Sequence, residues 1–314
     1  MTKKIKGDSG REPLAVHIRK YLALYSMFVL PVAYFIIFKY MPMFGNLLAF
    51  RRYRPGMGPW GTEWVGFQYF VRFLGDESFW RAFRNTLVTS LWNIVVNFPL
   101  PILLAIVLNE ARSKFFKKIV QTISYMPRFI STVVVIAILG ELLSPSSGLL
   151  NRFLAGVFNI EPVYFTNLPQ WFRPLYVLTD SWQFSGWTAI IYLAAITNIN
   201  SDLFEAAEID GASRIKKIWH VTIPSIMPTV MVMLILQIGR MLTLGFEKVL
   251  LLYTPANSHV SDILDTLVYR TGLAGGTPNY SYATAIGLFS SIIGLILVSS
   301  ANFISRKATG ESIY

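Results

Sequence analysis

The sequence of 314 residues contains no cysteine and only three histidines, and these absences exclude several kinds of chemistry. Without a thiol, the chain forms no disulfide and uses no thiolate. His17, His220 and His259 are too scattered to predict a metal site. The sequence also lacks a G-x-x-x-x-G-K-[ST] phosphate loop and a credible set of nucleophile, base and orienting group. An enzyme is therefore the class that the sequence supports least.

Charge is scarce as well, since 14% of the residues are charged and 54% are hydrophobic. A soluble domain needs a more highly charged surface to stay in solution, so this composition predicts a polytopic membrane protein. We find no low-complexity tract and no soluble domain. The net charge of +11 follows from cations placed on one side of the membrane, and we do not expect a nucleic-acid partner.

Six apolar stretches are long enough to cross a hydrocarbon core of about 30 Å, which takes about 20 helical residues. They predict an all-α protein with six transmembrane helices near residues 21–40, 84–108, 119–143, 175–199, 225–244 and 282–304. The first stretch has no small-residue cleavage site, which favours a first span over an uncleaved signal peptide as the alternative.

Lysine and arginine in the connecting segments predict the orientation, because cationic loops are retained in the cytoplasm. One set of connections, together with both ends of the chain, carries most of these cations. Both termini are therefore predicted to be cytoplasmic, as is the loop between the fourth and fifth spans. The opposite connections, residues 41–83 and 144–176, are rich in aromatic residues. Interfacial helices with an aromatic belt are the favoured interpretation, and a sugar-stacking surface is the alternative.

A charged, alanine-rich stretch lies between the fourth and fifth spans and reads LFEAAEIDGASRIKKIWHVTIPSIMP from Leu203 to Pro228. Its first half favours a helix, which Asp210 and Gly211 are predicted to end because glycine readily adopts a positive φ. A second helix follows, and two prolines bend the chain as it enters the fifth span. On composition alone, an ordinary amphipathic interfacial loop would also account for the stretch.

The spacing within this loop resembles the signature of permease subunits of binding-protein-dependent ABC importers. That signature is Glu-Ala-Ala, three residues, Gly, nine residues and Ile-x-Leu-Pro. This sequence has Glu205-Ala206-Ala207, then Gly211, and then Val-Thr-Ile-Pro ending at Pro224. The two departures, Val for Ile and Ile for Leu, largely conserve shape.

The resemblance covers nearly the whole chain and points to sugar permeases that import polysaccharide-derived oligosaccharides. It is carried by FKYMPMFGNLLAF (38–50), LLSPSSGLLNRFL (142–154), EPVYF (161–165), SDILDTLVYRTGL (261–273) and SYATAIGLF (281–289). The resemblance implies the transmembrane domain of a type I ABC importer over residues 21–306. A basic cytoplasmic tail (1–20) would precede it and a short cytoplasmic tail (307–314) would follow, with the coupling loop at about 200–224.

In that family the Glu-Ala-Ala helix docks into a cleft of a cytoplasmic ATPase, and closure of the ATPase dimer around ATP reorients the membrane subunits. The resemblance implies a second permease subunit that is a paralogue, two ATPase subunits that bind ATP and Mg, and an extracytoplasmic solute-binding protein. It places the complex in the bacterial cytoplasmic membrane. The predicted coupling residues are Glu205, Ala206, Ala207, Asp210, Gly211 and Pro224.

Polar side chains within the spans indicate where a substrate would pass, because such groups usually face a cavity or the interior of the bundle. Asn85, Thr89, Asn93 and Asn97 recur every four residues along the second span. The predicted pathway residues are Asn93, Asn97, Trp182, Gln183, Trp187, Gln237 and Arg240. Hydrogen bonding between helices is the alternative role for the asparagines.

Arg240 in the fifth span and three arginines of the first outer connection favour an acidic sugar such as a uronic-acid oligomer from alginate or pectin. Cations beside lipid phosphates would give the same pattern. Two further alternatives stay open, a permease for a non-sugar solute and an ion-coupled secondary transporter. The latter would need an intramembrane carboxylate, for which Glu141 and Asp180, expected near outer span ends, are weak candidates.

Overall fold

The computed structural model describes residues 18–58 and 63–310, which are largely helical. The predicted tails at residues 1–17 and 311–314 lie outside the described residues. In chain order the α-helices are α1 (Leu22–Phe35), α2 (Met41–Met43), α3 (Gln68–Leu74), α4 (Glu77–Asn97), α5 (Pro99–Glu110), α6 (Lys114–Tyr125), α7 (Thr132–Leu142), α8 (Leu149–Phe158), α9 (Pro169–Thr197), α10 (Ser201–Ile209), α11 (Arg214–Lys217), α12 (Ile223–Gly239), α13 (Phe246–Leu252), α14 (Ser258–Ser261), α15 (Leu264–Tyr269) and α16 (Tyr280–Thr309).

Shorter elements link these helices. The π-helical segments are Ile36–Tyr40, Ile218–Thr222 and Arg270–Ala274, and the 3-10 segments are Phe44–Phe50, Met126–Phe129 and Phe165–Asn167. Strands β1 (Arg51–Arg52) and β2 (Glu63–Trp64) pair antiparallel, with Arg51 opposite Trp64. The ring of Phe50 stacks on that of Trp64, with their centroids 5.6 Å apart, and so anchors this small ribbon to the end of the first helical segment.

Four helical stretches of the described chain are long and apolar enough to cross a membrane: 22–50, 77–110, 214–239 and 280–307. A fifth results if the bent pair formed by residues 114–129 and 132–142 counts as one span. Helix α9 has 29 residues and sufficient length, but it is more polar and contains Asp180 and Gln183. Its assignment as the remaining span, and with it the six-span count and the cytoplasmic termini, stay predictions.

The third predicted span is not one continuous helix, because α6 and α7 meet at an angle of 105°. Pro127 lies in the 3-10 turn that follows α6, and the chain is extended at Ile130 and Ser131, where the helical hydrogen bonds stop. Ser131 then caps α7, since its side chain accepts a hydrogen bond from the Val134 amide. The interpretation of residues 119–143 as a single span overlooked this break.

The second span begins at a capped end and is tied there to the last helix. Asp76 accepts a 2.9 Å hydrogen bond from the amide of Ser78 and thereby caps α4. Its other carboxylate oxygen accepts a 3.0 Å hydrogen bond from the Tyr282 hydroxyl on α16. Hydrogen bonds from Ser78 hold the pKa of Asp76 below its usual value.

The fifth span ends earlier than the sequence predicts. Residues 225–244 were expected to be helical, whereas α12 ends at Gly239 and Arg240 adopts a non-helical conformation as its C-cap. The following segment, 240–245, turns back to α13. Arg240 therefore lies just beyond the C-terminal end of α12, at the start of the segment that leads to α13.

Buried apolar residues form several separate clusters. One buried cluster joins α3, α4, α15 and α16 through Phe73, Phe79, Leu264 and Ile286. Another joins α5, α9 and α12 and is centred on Tyr192. Helices α6 and α9 approach each other closely at a glycine. A Cβ atom added at Gly186 of α9 would lie 2.1 Å from the Ser124 carbonyl oxygen of α6.

We predict that Gly186→Ala destabilises the protein by about 1–3 kcal/mol, because the methyl group would force α6 and α9 apart. Gly140→Ala is the matched control, since a Cβ atom at Gly140 in α7 meets nothing within 4 Å. Alanine at that helical position should be neutral or stabilising by about 0.5–1 kcal/mol. Thermal unfolding of the purified variants in detergent measures the difference. Equal melting temperatures would contradict the close α6–α9 crossing.

A polar cavity and an exposed loop as candidate functional sites

A cavity of about 420 Å³ lies among α4, α5, α9, α12 and the segment that leads into α13. Its polar and charged lining is contributed by residues far apart in the sequence. The polar and charged lining residues are Ser90, Asn93, Asn97, Thr132, Tyr176, Asp180, Ser185, Thr188, Gln237, Arg240, Thr243, Glu247 and Lys248. The lining thus offers many hydrogen-bonding groups among its apolar side chains.

An ion pair between Asp180 of α9 and Lys248 of α13 stands at the centre of this lining. The Lys248 ammonium donates a 2.7 Å hydrogen bond to Asp180 Oδ1. It also lies 5.3 Å from the ring centroids of both Tyr176 and Phe184, so two aromatic faces contribute cation–π attraction. Lys248 is only 3% exposed, and a cation buried to this extent is stable only if a counter-charge and nearby aromatic rings offset its lost hydration.

A chain of asparagine and serine side chains extends from the ion pair along α4. Asn93 donates a 3.1 Å hydrogen bond to the second carboxylate oxygen of Asp180. Asn97 donates to the Asn93 side-chain oxygen and accepts a hydrogen bond from Ser181. Because every member contacts the next, α4, α9 and α13 are held in one register around the cavity.

Asn85 begins the stripe of polar residues on α4 that includes Asn93 and Asn97, and it joins helices together. Asn85 is buried and donates hydrogen bonds to the carbonyl oxygens of His259 and Asp262, at 2.9 and 3.0 Å. It accepts a 3.2 Å hydrogen bond from Arg173. Asn85 thus joins the α14 region to α4 and α9, whereas Asn93 and Asn97, two and three turns further on, line the cavity. Asn85 therefore only fastens helices together, whereas Asn93 and Asn97 make hydrogen bonds to α9 and also line the cavity, and their part in a substrate pathway stays a prediction.

Gln237 and Arg240 also line the cavity, from the end of α12. Arg240 is exposed, and among the described residues no hydrogen bond or ion pair involves its guanidinium group. Glu247 lines the cavity nearby and is exposed as well. Arg240 therefore presents a charged, planar donor group to whatever enters the cavity.

Three of the predicted pathway residues point elsewhere. Trp182 and Trp187 are half-exposed, and Trp187 packs edge-on against Phe129 with ring centroids 5.8 Å apart. Gln183 is buried and donates a 2.9 Å hydrogen bond to the Ile130 carbonyl oxygen at the α6–α7 bend. On α9 the cavity-lining positions recur at intervals of four, as helical periodicity requires, and these three lie on other faces.

The loop between α9 and α12 forms the second candidate site. Asn200 caps α10, and Gly211 ends it with a φ of 70°, as the sequence predicts. The amide of Gly211 donates to the Glu208 carbonyl oxygen and that of Ala212 to Ala207, at 3.0 and 2.8 Å. These bonds satisfy the last carbonyl groups of α10 within a turn that only a residue tolerant of positive φ adopts without strain.

The loop exposes its signature residues. Glu205, Ala206 and Asp210 are exposed, Ala207 is half-buried, and Pro224 is exposed at the start of α12. Among the described residues no hydrogen bond or ion pair involves the Glu205 carboxylate. Two large apolar side chains beside it, Ile209 and Ile215, are 87% and 68% exposed. A surface that combines an available carboxylate, small residues and apolar side chains is typical of a docking site for another protein.

An internal ion pair braces this loop. Lys217 donates a 2.5 Å hydrogen bond to Glu208, and this bond holds the pKa of Glu208 below its usual value. The pair bounds a second cavity of about 380 Å³ between the loop and the end of α5, which Asn109 and Glu110 also line. Glu208 is therefore engaged within the chain, whereas the Glu205 and Asp210 carboxylates of the motif are exposed.

These features together describe a multi-pass helical membrane protein with a cavity lined in part by polar groups and with an exposed, charged loop, an architecture suited to a transport subunit. The family model described as "Binding-protein-dependent transport system inner membrane component" matches residues 97–310. The chain belongs to this family.

Relatives and solved structures agree with that assignment. The polygalacturonan/rhamnogalacturonan transport system permease protein YteP of Bacillus subtilis is 44% identical over 97% of this chain and 94% of its own length. A bacterial ABC transporter involved in the import of the acidic polysaccharide alginate contains a chain that is 41% identical. It superimposes with a TM-score of 0.87 over 94% of this chain and 99% of that one. The predicted fold, the transmembrane domain of a type I ABC importer, is confirmed.

Asp180 and Lys248 are charged cavity-lining residues that the sequence analysis did not select for the substrate pathway. Asp180 was placed near an outer span end, yet it lies well inside α9 and lines the cavity. Lys248 was counted among the cations of an outer connection. A carboxylate within a spanning stretch is itself a signal, because such a charge needs a partner. The identity of that partner, 68 residues away, depends on the tertiary fold.

We predict that removing one member of the pair is more damaging than removing both. Lys248→Met should destabilise the protein by about 3–5 kcal/mol, because Asp180 is left without its counter-charge in the bundle. The double variant Asp180→Asn with Lys248→Met should lose much less, since no charge is left unpaired. Melting temperatures of the wild type, both single variants and the double variant form a double-mutant cycle. Additive losses would show that the two residues do not stabilise each other.

Proposed function

We propose that this chain is one membrane-spanning half of an ATP-driven importer that moves an acidic oligosaccharide from a solute-binding protein into the bacterial cytoplasm. The chain would form the pore with a second permease subunit in the cytoplasmic membrane. ATP and Mg would bind to two partner ATPase subunits, so this chain carries no cofactor and catalyses no reaction. The polar cavity is the substrate site in this proposal, and the α10–α11 loop is the ATPase contact.

The carrying observation is that an exposed guanidinium group, Arg240, lies in a cavity rich in amide and hydroxyl groups. Arginine pairs with carboxylates through two parallel hydrogen bonds, and amides and hydroxyls match sugar hydroxyl groups. Two similar proteins support the same substrate class. YteP is named for polygalacturonan and rhamnogalacturonan transport, and the alginate importer has been crystallised with a periplasmic protein bound to an alginate pentasaccharide.

The assignment of the loop to ATPase coupling rests on its shape and exposure. Helix α10 projects small residues and the Glu205 carboxylate, and the Gly211 turn sets the direction in which the chain returns to the bundle. Small faces allow a helix to dock closely, and a carboxylate attracts cationic groups of a partner. A secondary transporter would have no need for such a surface. Its other requirement, an intramembrane carboxylate, is met by Asp180, but this residue already has Lys248 as its counter-charge.

We predict that Gly211→Val abolishes substrate-stimulated ATPase activity of the assembled complex. A β-branched residue strongly resists a φ of 70°, so the turn would open and α10 would change its direction. Gly211→Asn is the matched control and should retain most of the coupling, because asparagine tolerates this conformation. Neither variant introduces a steric clash at Cβ, since a Cβ atom at Gly211 meets nothing within 4 Å. Full stimulation in the valine variant would contradict the coupling role, and transport by the chain without ATP would favour the secondary transporter.

For the substrate, we predict that Arg240→Gln impairs uptake of a uronate oligomer more than uptake of a neutral oligomer of equal length. Loss of a charge-assisted contact removes about 1.5–3 kcal/mol, or roughly ten- to a hundredfold in affinity. Gln237→Ala, one turn earlier on α12, should cost less because a neutral hydrogen bond is weaker. Uptake into proteoliposomes containing the whole complex measures both effects. Equal losses on the two oligomers would remove Arg240 as an argument for an acidic substrate and leave the oligosaccharide permease intact.

A further inference from the structure

The charges that line the cavity are not equally accessible. Arg240 and Glu247 are exposed, whereas the side chain of Lys248 is 4% exposed and that of Asp180 is 20% exposed. Within the ion pair, Asp180 is therefore the member that a solute in the cavity meets first. An incoming carboxylate can contact the Lys248 ammonium only if the Asp180 carboxylate moves away from it.

We propose that Asp180 acts as an internal substitute for the substrate carboxylate, which takes its place on Lys248 when an acidic sugar enters the cavity. This inference rests on the proposed function. It makes Lys248 a specificity-determining residue and Asp180 the group that keeps the site neutral while it is empty. Asp180 and Lys248 would thus set the preference for acidic over neutral sugars.

The geometry favours an exchange of this kind. Asp180 has two carboxylate oxygens with different partners, Lys248 on Oδ1 and Asn93 on Oδ2. When a substrate carboxylate takes over Lys248, Asp180 keeps the hydrogen bond from Asn93 and retains its place on α9. Lys248 keeps its position as well, because the rings of Tyr176 and Phe184 hold the ammonium independently of Asp180.

Charge balance explains why the exchange selects for an acid. The cavity lining carries two cations, Arg240 and Lys248, and two acids, Asp180 and Glu247. A neutral sugar gains nothing by displacing Asp180, since Lys248 would lose a charged partner and receive an uncharged one. A carboxylate replaces like with like, so Lys248 stays neutralised. The displaced Asp180 loses its counter-charge, and this cost is reduced because its side chain is 20% exposed and keeps the hydrogen bond from Asn93. A permanently bare lysine would bind acids more tightly, but as a buried cation without a counter-charge it would destabilise the empty protein.

The test compares a short galacturonate oligomer with its methyl ester, which removes the charge at the expense of one added methyl group per carboxyl. Equilibrium binding is measured on the purified, assembled complex without its solute-binding protein, so that the selectivity of that protein does not enter. In the double variant Asp180→Asn with Lys248→Met, we expect the preference for the acid over the ester to fall by about ten- to a hundredfold. In Asp180→Asn alone, we expect the acid to bind more tightly than it binds to the wild type.

The control is the ion pair of Asp262 with Arg270, in which the carboxylate is buried and lies 2.7 Å from the guanidinium group, and neither residue lines the cavity. Asp262→Asn with Arg270→Met should leave the preference for the acid unchanged, which separates a selective role from the general effect of losing an ion pair. Should Asp180→Asn fail to fold, the double variant still decides, because it leaves no buried charge unpaired.

Two different results separate the failure of this inference from the failure of the proposed function. If the wild type prefers the acid and the Asp180/Lys248 double variant keeps that preference, the pair only stabilises the bundle and the inference is overturned. If the wild type binds the acid and the ester equally, the acidic-sugar function fails, and the exchange fails with it.

Discussion

Inside a helical bundle as apolar as this one, a polar or charged side chain is stable only where another group of the chain satisfies it. This constraint accounts for most of the contacts that order the interior. Asn85 bridges α4 to the α14 region, Gln183 holds the carbonyl group exposed by the α6–α7 bend, and Lys248 is neutralised by Asp180. The interior polar groups thus divide into those that fasten helices together and those that surround the cavity.

The two candidate sites lie at opposite ends of one helical stretch. Residues 214–239 form a single element of 26 residues, about 39 Å long at 1.5 Å per residue. The Gly211 turn precedes it and Arg240 follows it. Gly239 packs so closely on Val298 of α16 that an added Cβ atom would lie 2.5 Å from its side chain. In the proposed importer, a displacement of the loop by an ATPase would therefore reach the cavity through one continuous and tightly packed element.

Several structural features were predictable from local sequence, and the misses have identifiable causes. The end of α10 at Gly211 follows from a glycine placed after good helix formers, and the structure shows it. The break in the third span was missed because Pro127 lies within a long apolar run, which reads as one continuous span. Asn93, Asn97, Gln237 and Arg240 reach the cavity, while Trp182, Gln183 and Trp187 do not. Those three were selected for their chemistry, and which face of α9 they occupy depends on how α9 packs.

The sequence by itself determined the class of protein, its helical character and the coupling-loop signature, because these depend on composition, on the length of apolar runs and on the spacing of a few adjacent residues. The tertiary structure alone decided which polar residues meet. Asp180 and Lys248 are separated by 68 positions, and Asn85 lies 177 positions from the Asp262 carbonyl group that it contacts. No local pattern encodes such pairings, since they arise from the rotation and crossing of whole helices, which the packing of all their side chains sets together.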